Sequence, residues 1–130
     1  MLTVDDRTGI RRVVCKGVWP TAPRDFLICT TWTELDDGSI IIATRGASDA
    51  LYPPQKGFVR GFVQISGFWI QPVETLRDDP EAQSKYAGGC KLTLTAHTEL
   101  GGSLPASVIN LLSTSAPLKL LASVEEILAR

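Results

Sequence analysis

The sequence is poor in the residue types from which catalytic and metal sites are usually built. It has a single histidine and three cysteines in 130 residues. No recognisable motif pairs a serine or cysteine with His97, so this histidine is expected at the surface or at a loop tip. Neighbouring carboxylates such as Asp36-Asp37 and Glu125-Glu126 belong to a turn and to a helix face. We therefore expect no enzyme activity, no metal site and no cofactor.

The sequence also has no large excess of basic or of acidic residues. Thirteen basic and fourteen acidic residues give a formal net charge of -1, and no block of like charge occurs. Proteins that bind nucleic acid usually carry a basic patch that contacts phosphates. No nucleic-acid partner is expected.

Long apolar runs and paired cysteines are absent as well. No apolar run approaches the ~20 residues of a membrane-spanning helix, and the N-terminus lacks the basic-then-apolar order of a signal peptide. Cys15, Cys29 and Cys90 are odd in number and lie in strand-like segments. They are expected to be small, reduced core residues. These features predict a cytoplasmic protein, with peripheral contact with membranes left open.

The length of the chain and the pattern of its apolar residues predict one domain over residues 1–130, with strands first and a helix last. Alternating or β-branched segments predict about six strands. These cover residues 10–15, 25–35, 39–45, 58–65, 68–71 and 90–98. Asp36-Asp37-Gly38 predicts one hairpin turn, and Ser66-Gly67 is interpreted as a second, so that residues 58–71 form a hairpin.

Residues 104–130 carry the helical pattern. Ser103 is the candidate N-cap, and Pro105 suits the first turn. Pro117 should kink or divide this helix, at a cost of about 3 kcal/mol. Several strands have apolar residues on both faces, whereas one amphipathic helix covers one face. A partner chain, missing N-terminal sequence or a ligand cavity should fill the remaining space.

Three segments, in order, resemble the C-terminal part of a START (StAR-related lipid transfer) domain. They are Pro23-Arg24-Asp25-Phe26, residues 54–61, and residues 97–105 followed by Asn110. The resemblance covers nearly the whole chain. It implies an α+β helix-grip fold (START / Bet v 1-like), in which a curved antiparallel sheet packs on the long C-terminal helix, here incomplete at the N-terminus. The loops at residues 48–56 and 74–89 would lie near the tunnel mouth, the second of them mobile.

The resemblance also implies a function. Such a module binds a single lipid (a sterol, a phospholipid or another apolar ligand) in an internal cavity, and transfers it between membranes or senses it. Sterol-binding members carry a buried acid and an arginine at positions that fall near Arg11 and Thr30, so this chain does not reproduce the pair. Inward strand faces and the helix stripe predict the ligand-binding residues as Phe26, Ile28, Thr30, Ile42, Val63, Leu92, Leu94, Leu112, Ala116, Leu120 and Val124.

Arg60 is the candidate polar contact with the ligand. If Val59, Gly61 and Val63 point inward, Arg60 points outward, which favours a solvent-facing pair with a carboxylate. Two alternative functions stay open. One is a START remnant that acts as a protein-interaction module without lipid, its open sheet edge covered by a partner chain or a missing N-terminal segment. The other, an aromatic cyclase, needs polar catalytic residues that the inward faces scarcely provide.

Overall fold

The computed structural model describes residues 1–17, 21–76 and 78–129. Strands fill the first three quarters of the chain, and a long helix ends it. The elements are β1 (Leu2–Thr3), β2 (Thr8–Cys15), β3 (Arg24–Glu34), β4 (Ile40–Gly46), β5 (Val59–Arg60), β6 (Phe62–Val63), β7 (Ser66–Pro72), a 3₁₀ turn (Val73–Thr75), α1 (Pro80–Lys85), β8 (Cys90–Thr95), β9 (Thr98–Glu99) and α2 (Ala106–Leu128).

The main sheet has the order β1-β2-β3-β4-β7-β8, with antiparallel neighbours throughout. β5 joins the side of β3 in parallel, and β6 pairs with β9 in a separate two-stranded ribbon. Four of the five neighbouring pairs in the main sheet are consecutive β-strands of that sheet in sequence, and short turns join β1 to β2 and β3 to β4. The prediction of strands followed by one long helix is confirmed in outline.

The turn between β3 and β4 forms as predicted. Gly38 has a positive φ of 81°, and its N–H donates to the Leu35 carbonyl at 2.9 Å. The Asp37 carboxylate accepts a bond from the Ser39 N–H at 2.8 Å. Glycine at the left-handed position and aspartate bonded to the turn backbone are the two features that made this turn predictable.

The second predicted hairpin, over residues 58–71, is wrong. Ser66 and Gly67 lie inside β7, which pairs with β4 on one side and with β8 on the other. The segment before them divides into β5 and β6, which pair with other strands. Gly67 is needed for a close approach, because a Cβ there would collide with the backbone carbonyl of Ile42 on β4. Glycine inside a strand often marks such an approach.

Replacing Gly67 by alanine should therefore lower the free energy of unfolding by about 3 kcal/mol, because backbone and not a flexible side chain blocks the new methyl group. Gly9→Ala is the matched control, since the nearest atom to its Cβ would be the Leu2 carbonyl oxygen at 3.7 Å, an ordinary contact. Urea denaturation of both variants measures the difference. Equal midpoints would show that β4 and β7 separate without cost.

The segment expected to be a mobile loop, residues 74–89, contains regular structure on either side of Arg77, which lies outside the described residues. Helix α1 begins after Asp79, whose carboxylate accepts from the Ala82 N–H at 2.9 Å, with Pro80 in the first turn. An acidic cap followed by proline is a standard helix start. The local signal was present, although the helix is only six residues long.

Helix α2 begins later than predicted and is not capped by Ser103. Pro105 occupies the cap position, and no side chain among the described residues caps the helix. Pro117 lies inside α2 without dividing it, and Arg130 lies outside the described residues. No described residue of α2 is buried, and the apolar side chains of Ile127 and Leu128 are 64% and 74% exposed.

By length and composition alone, α2 could cross a membrane: it has 23 residues, with a mean hydropathy of 1.3 in its most apolar window. The expectation that no segment reaches this length is wrong. Serine, threonine, asparagine and one proline, not charged residues, separate the apolar residues as far as Lys119. Core helices of other proteins pass the same test, so this property assigns no membrane span.

The cysteines are free, as expected, but they are not core residues. Cys15 and Cys90 are exposed, and Cys29 is half-buried. Cys15 is the last residue of β2 and Cys90 is the first residue of β8, so both lie at the ends of strands. Among the described residues, the fully buried side chains are polar, namely Asp25 and Ser39.

Candidate functional site

At the start of β3, the side chains of residues 24–27 point alternately to opposite faces of the sheet. Arg24 and Phe26 point to the face that α2 crosses, where both line a cavity. Asp25 and Leu27 have the other parity and are buried on the opposite face. Because side chains alternate along a strand, one short segment contributes two residues to the cavity lining and two buried residues to the packing of the other face.

The cavity has a volume of about 450 Å³ and lies between the sheet and α2. Its wall is mainly apolar and comes from the end of β2, described residues between β2 and β3, β3, β8, β9, the segment before α2, and α2 itself. The lining residues are Cys15, Lys16, Gly17, Thr21, Ala22, Arg24, Phe26, Leu94, Ala96, Thr98, Leu100, Leu104, Val108, Leu112, Ser113, Ala116, Pro117 and Leu120.

The predicted ligand-binding residues divide into three groups. Lining the cavity are Phe26, Leu94, Leu112, Ala116 and Leu120. On the same sheet face by register, but outside the lining, are Ile28, Thr30, Ile42 and Leu92. Also outside the lining are Val63, on β6, and Val124, further along α2. Contact of any of them with a lipid stays a prediction.

Sequence reasoning missed the polar end of the cavity, formed by Lys16, Thr21 and Arg24. For Arg24 a signal existed, because it shares the parity of Phe26 on β3. Lys16 and Thr21 lie beyond the ends of strands, where periodicity carries no information about direction.

Arg24 also holds the chain that leads into α2. Its Nη1 donates to the Ala22 carbonyl at 2.7 Å, while Nε and Nη2 donate to the carbonyls of Leu100 and Gly101, each at 3.3 Å. Gly101 and Gly102 have positive φ values of 67° and 64°. Two successive left-handed residues turn the chain sharply, so Arg24 fixes a turn that directs α2 across the cavity.

On the opposite face, Asp25 is the centre of a charge cluster. Its side chain is 0% exposed and accepts from Arg12 Nε at 2.7 Å and Arg60 Nε at 2.9 Å. Arg60 also donates to Asp49 at 2.6 Å and to the Tyr52 carbonyl at 3.0 Å. These bonds attach the loop at residues 48–56 to the back of the sheet.

Aromatic rings enclose the second arginine of this cluster. The guanidinium of Arg12 lies 5.4 Å from the ring centre of Tyr52 and 4.7 Å from that of Phe58. Its Nη2 atom is buried without a hydrogen-bond partner among the described residues. The charged guanidinium of Arg12 is therefore stabilised by Asp25 and by cation–π contacts with the two rings.

Hydrogen bonds from Arg60 and then from Arg12 outweigh the effect of burial and lower the pKa of Asp25 below its ordinary value of 3.8. The same pairing with Asp25 raises the pKa of Arg60. The Asp25 carboxylate is thus ionised over the physiological range, where Arg60 is charged.

Arg60, the predicted polar contact, points away from the cavity, as parity favoured. It does not face water, however, because its side chain is only 10% exposed beneath the loop that carries Asp49 and Tyr52. A pattern of alternating residues indicates direction but not what covers a side chain.

Comparison with known proteins identifies the family. A family model of the START domain matches residues 3–124. The chain belongs to the START-domain family. Human StAR-related lipid transfer protein 5 is 32% identical over 89 residues, which are 68% of this chain and 37% of that protein.

Solved structures of START proteins share the fold. The structure of human StAR-related lipid transfer protein 5 aligns with a TM-score of 0.68 at 25% identity, over 85% of this chain and 48% of that one. Human STARD10 aligns with a TM-score of 0.70 at 25% identity, over 93% of this chain and 43% of that one. The expected helix-grip fold is confirmed. This START chain spans less than half the length of each of these relatives.

A second, smaller cavity of about 250 Å³ lies beside the N-terminal strands of this START chain. Arg11 and Thr30 both line it, together with Asp5, Asp6 and Arg7. These two positions are where the family resemblance places the acid and arginine of sterol-binding members. Here they face a shallow, charged site outside the main cavity.

Proposed function

We propose that this START chain binds a single lipid in the cavity beneath α2, and transfers it between membranes or senses it, without catalysing a reaction. The observation that carries the proposal is the cavity of about 450 Å³, whose apolar wall is shared by the sheet and α2. This volume falls within the range of about 300–1,000 Å³ found for small-molecule sites. Burial of apolar surface, at about 25 cal/mol per Å², favours an apolar ligand there.

The chemistry of the lining supports binding rather than catalysis. In the part of the chain that the structure describes, no carboxylate or histidine lines the cavity. General acid–base catalysis usually employs such groups in pairs. One relative that aligns with this chain is named StAR-related lipid transfer protein 5, which agrees with a carrier or sensor.

Entry of the lipid would require α2 to move. The helix has no buried residue, and Arg24 holds the preceding turn through two long bonds of 3.3 Å. Displacement about Gly101 and Gly102 would open the cavity along its length. Outward-facing Leu111 and Leu118 are 62% and 68% exposed, which suits transient contact with a membrane surface. We accordingly propose a cytoplasmic, peripheral location.

Lipid extraction followed by mass spectrometry of the purified chain tests the proposal. We expect about one lipid per chain. A second measurement follows the passage of a fluorescent sterol and a fluorescent phospholipid from donor to acceptor vesicles. Protein that carries no lipid and accelerates the transfer of neither probe would refute the proposed function.

A second candidate function is a protein-interaction module without lipid. Two observations favour it: exposed apolar residues on α2, and β8, which among the described strands is paired on one edge only. Unpaired edges readily accept another strand. A partner chain or an N-terminal segment would then cover this edge. Lipid-free protein that recruits such a strand, detected by hydrogen-exchange protection of residues 90–95, would favour this function.

A further inference from the structure

The cavity contains an imbalance of charge that its apolar wall does not explain. Two of its lining residues, Lys16 and Arg24, are cationic, whereas no acidic residue among the described positions lines it. The three ion pairs found within residues 1–17, 21–76 and 78–129 all belong to the Asp25 cluster on the other face. Neither cavity cation is a member of that cluster.

The two cations lie at the same end of the cavity. Cys15 is paired directly with Arg24 in the β2–β3 register, and Lys16 follows Cys15. Arg24 is already oriented, because its bonds go to the carbonyls of Ala22, Leu100 and Gly101. Carbonyl groups are neutral, and no ion pair with another described residue compensates the charge of Arg24. Three of its five N–H groups are used in these bonds, and two are left for a further acceptor.

The apolar part of the lining indicates the rest of the ligand. Phe26, Leu94 and Leu112 contribute apolar side chains from β3, β8 and α2 to a cavity of about 450 Å³. Such a wall suits a long hydrocarbon chain.

We propose that the ligand is an amphiphile with a long hydrocarbon chain and an anionic head group, a carboxylate or a phosphate, which Lys16 and Arg24 bind at the β2–β3 end. This inference rests on the proposed lipid-binding function and narrows its ligand class. The chain would extend past Phe26 and Leu94 towards Leu112 on α2. An anion between two cations forms charge-assisted hydrogen bonds, which are stronger than those of a neutral head group.

The test measures the affinity of delipidated protein for three probes with the same hydrocarbon chain: hexadecanoic acid, hexadecyl phosphate and hexadecan-1-ol. At least one anion should bind about tenfold more tightly than the alcohol, since a hydrogen bond to a charged group contributes about this factor. Lys16→Gln should reduce the affinity for that anion about tenfold and leave the alcohol unaffected. Lys91→Gln is the matched control, because Lys91 is outside the cavity lining.

The outcomes separate the inference from the function on which it rests. Equal binding of all three probes would overturn the anionic head group and leave lipid binding intact. An anion preference that survives Lys16→Gln unchanged would overturn the assignment of the head-group site. Binding of none of the probes, together with no transfer of sterol or phospholipid, would overturn the proposed function itself. A preference for one anion over the other supports the inference and identifies the head group.

Discussion

Replacing Asp25 by asparagine is expected to lower the free energy of unfolding by about 3 kcal/mol, because removal of one partner leaves buried charge uncompensated. Asp25 is 0% exposed, and Arg12 and Arg60 both donate to it. Arg60 keeps Asp49, but Arg12 loses the one ion pair that it makes with a described residue, and one of its buried nitrogens already lacks a hydrogen-bond partner among those residues. Urea denaturation at neutral pH measures the loss.

Asp49→Asn provides the matched control. Its carboxylate pairs with the same Arg60 but is 57% exposed, so its removal should cost less than about 1 kcal/mol. A large difference between the two variants would show that the buried centre of the cluster, where Asp25 pairs with two arginines, contributes more stability than the exposed pair of Asp49 with Arg60. Equal midpoints for Asp25→Asn and the unmodified protein would contradict the role assigned to this cluster.

The same cluster predicts a dependence of stability on pH. The pKa of Asp25 is lowered below its ordinary value of 3.8, mainly by hydrogen bonds from Arg60. A carboxyl group with a lowered pKa stabilises the folded state fully above its unfolded pKa, and this contribution is lost as the pH falls through the folded value. Stability should therefore decline below about pH 4. In Asp25→Asn, this part of the acid-induced loss should disappear.

Which side chains share a sheet face was predictable, because alternation is a local property of a strand. Phe26, Ile28 and Thr30 were assigned to one face, and the observed register brings Ile42 and Leu94 to the same face. The turn at Gly38 was predictable for the same reason, since its signal lies within a few residues. Both predictions needed no knowledge of distant parts of the chain.

The remaining features depend on contacts between distant residues. Arg24 and Leu100, 76 positions apart, determine where the chain turns into α2, and hence which part of the sheet face becomes cavity wall. Ile28 and Leu92 are on the predicted face but outside that part. The error at Gly67 has the same origin, because a glycine in a turn and one opposed by the Ile42 carbonyl look alike in sequence.

Replacing Ala116 by tryptophan is expected to reduce the lipid bound per chain at least about tenfold, because the indole group would occupy much of the cavity. Ala116 lines the cavity from α2, and the whole cavity measures about 450 Å³. The folded protein should lose no stability, since the new side chain fills empty apolar space.

Ala122→Trp is the control for this substitution. Ala122 lies on the same helix, is exposed, and does not line the cavity, so the variant carries the same added surface without blocking the site. Quantitative mass spectrometry of extracted lipid and thermal denaturation compare the two variants. Loss of lipid in Ala116→Trp alone would place the ligand between α2 and the sheet. Full lipid content in both variants would argue for a binding site elsewhere on the chain, because an indole ring in the cavity beneath α2 would compete with a lipid for the same space.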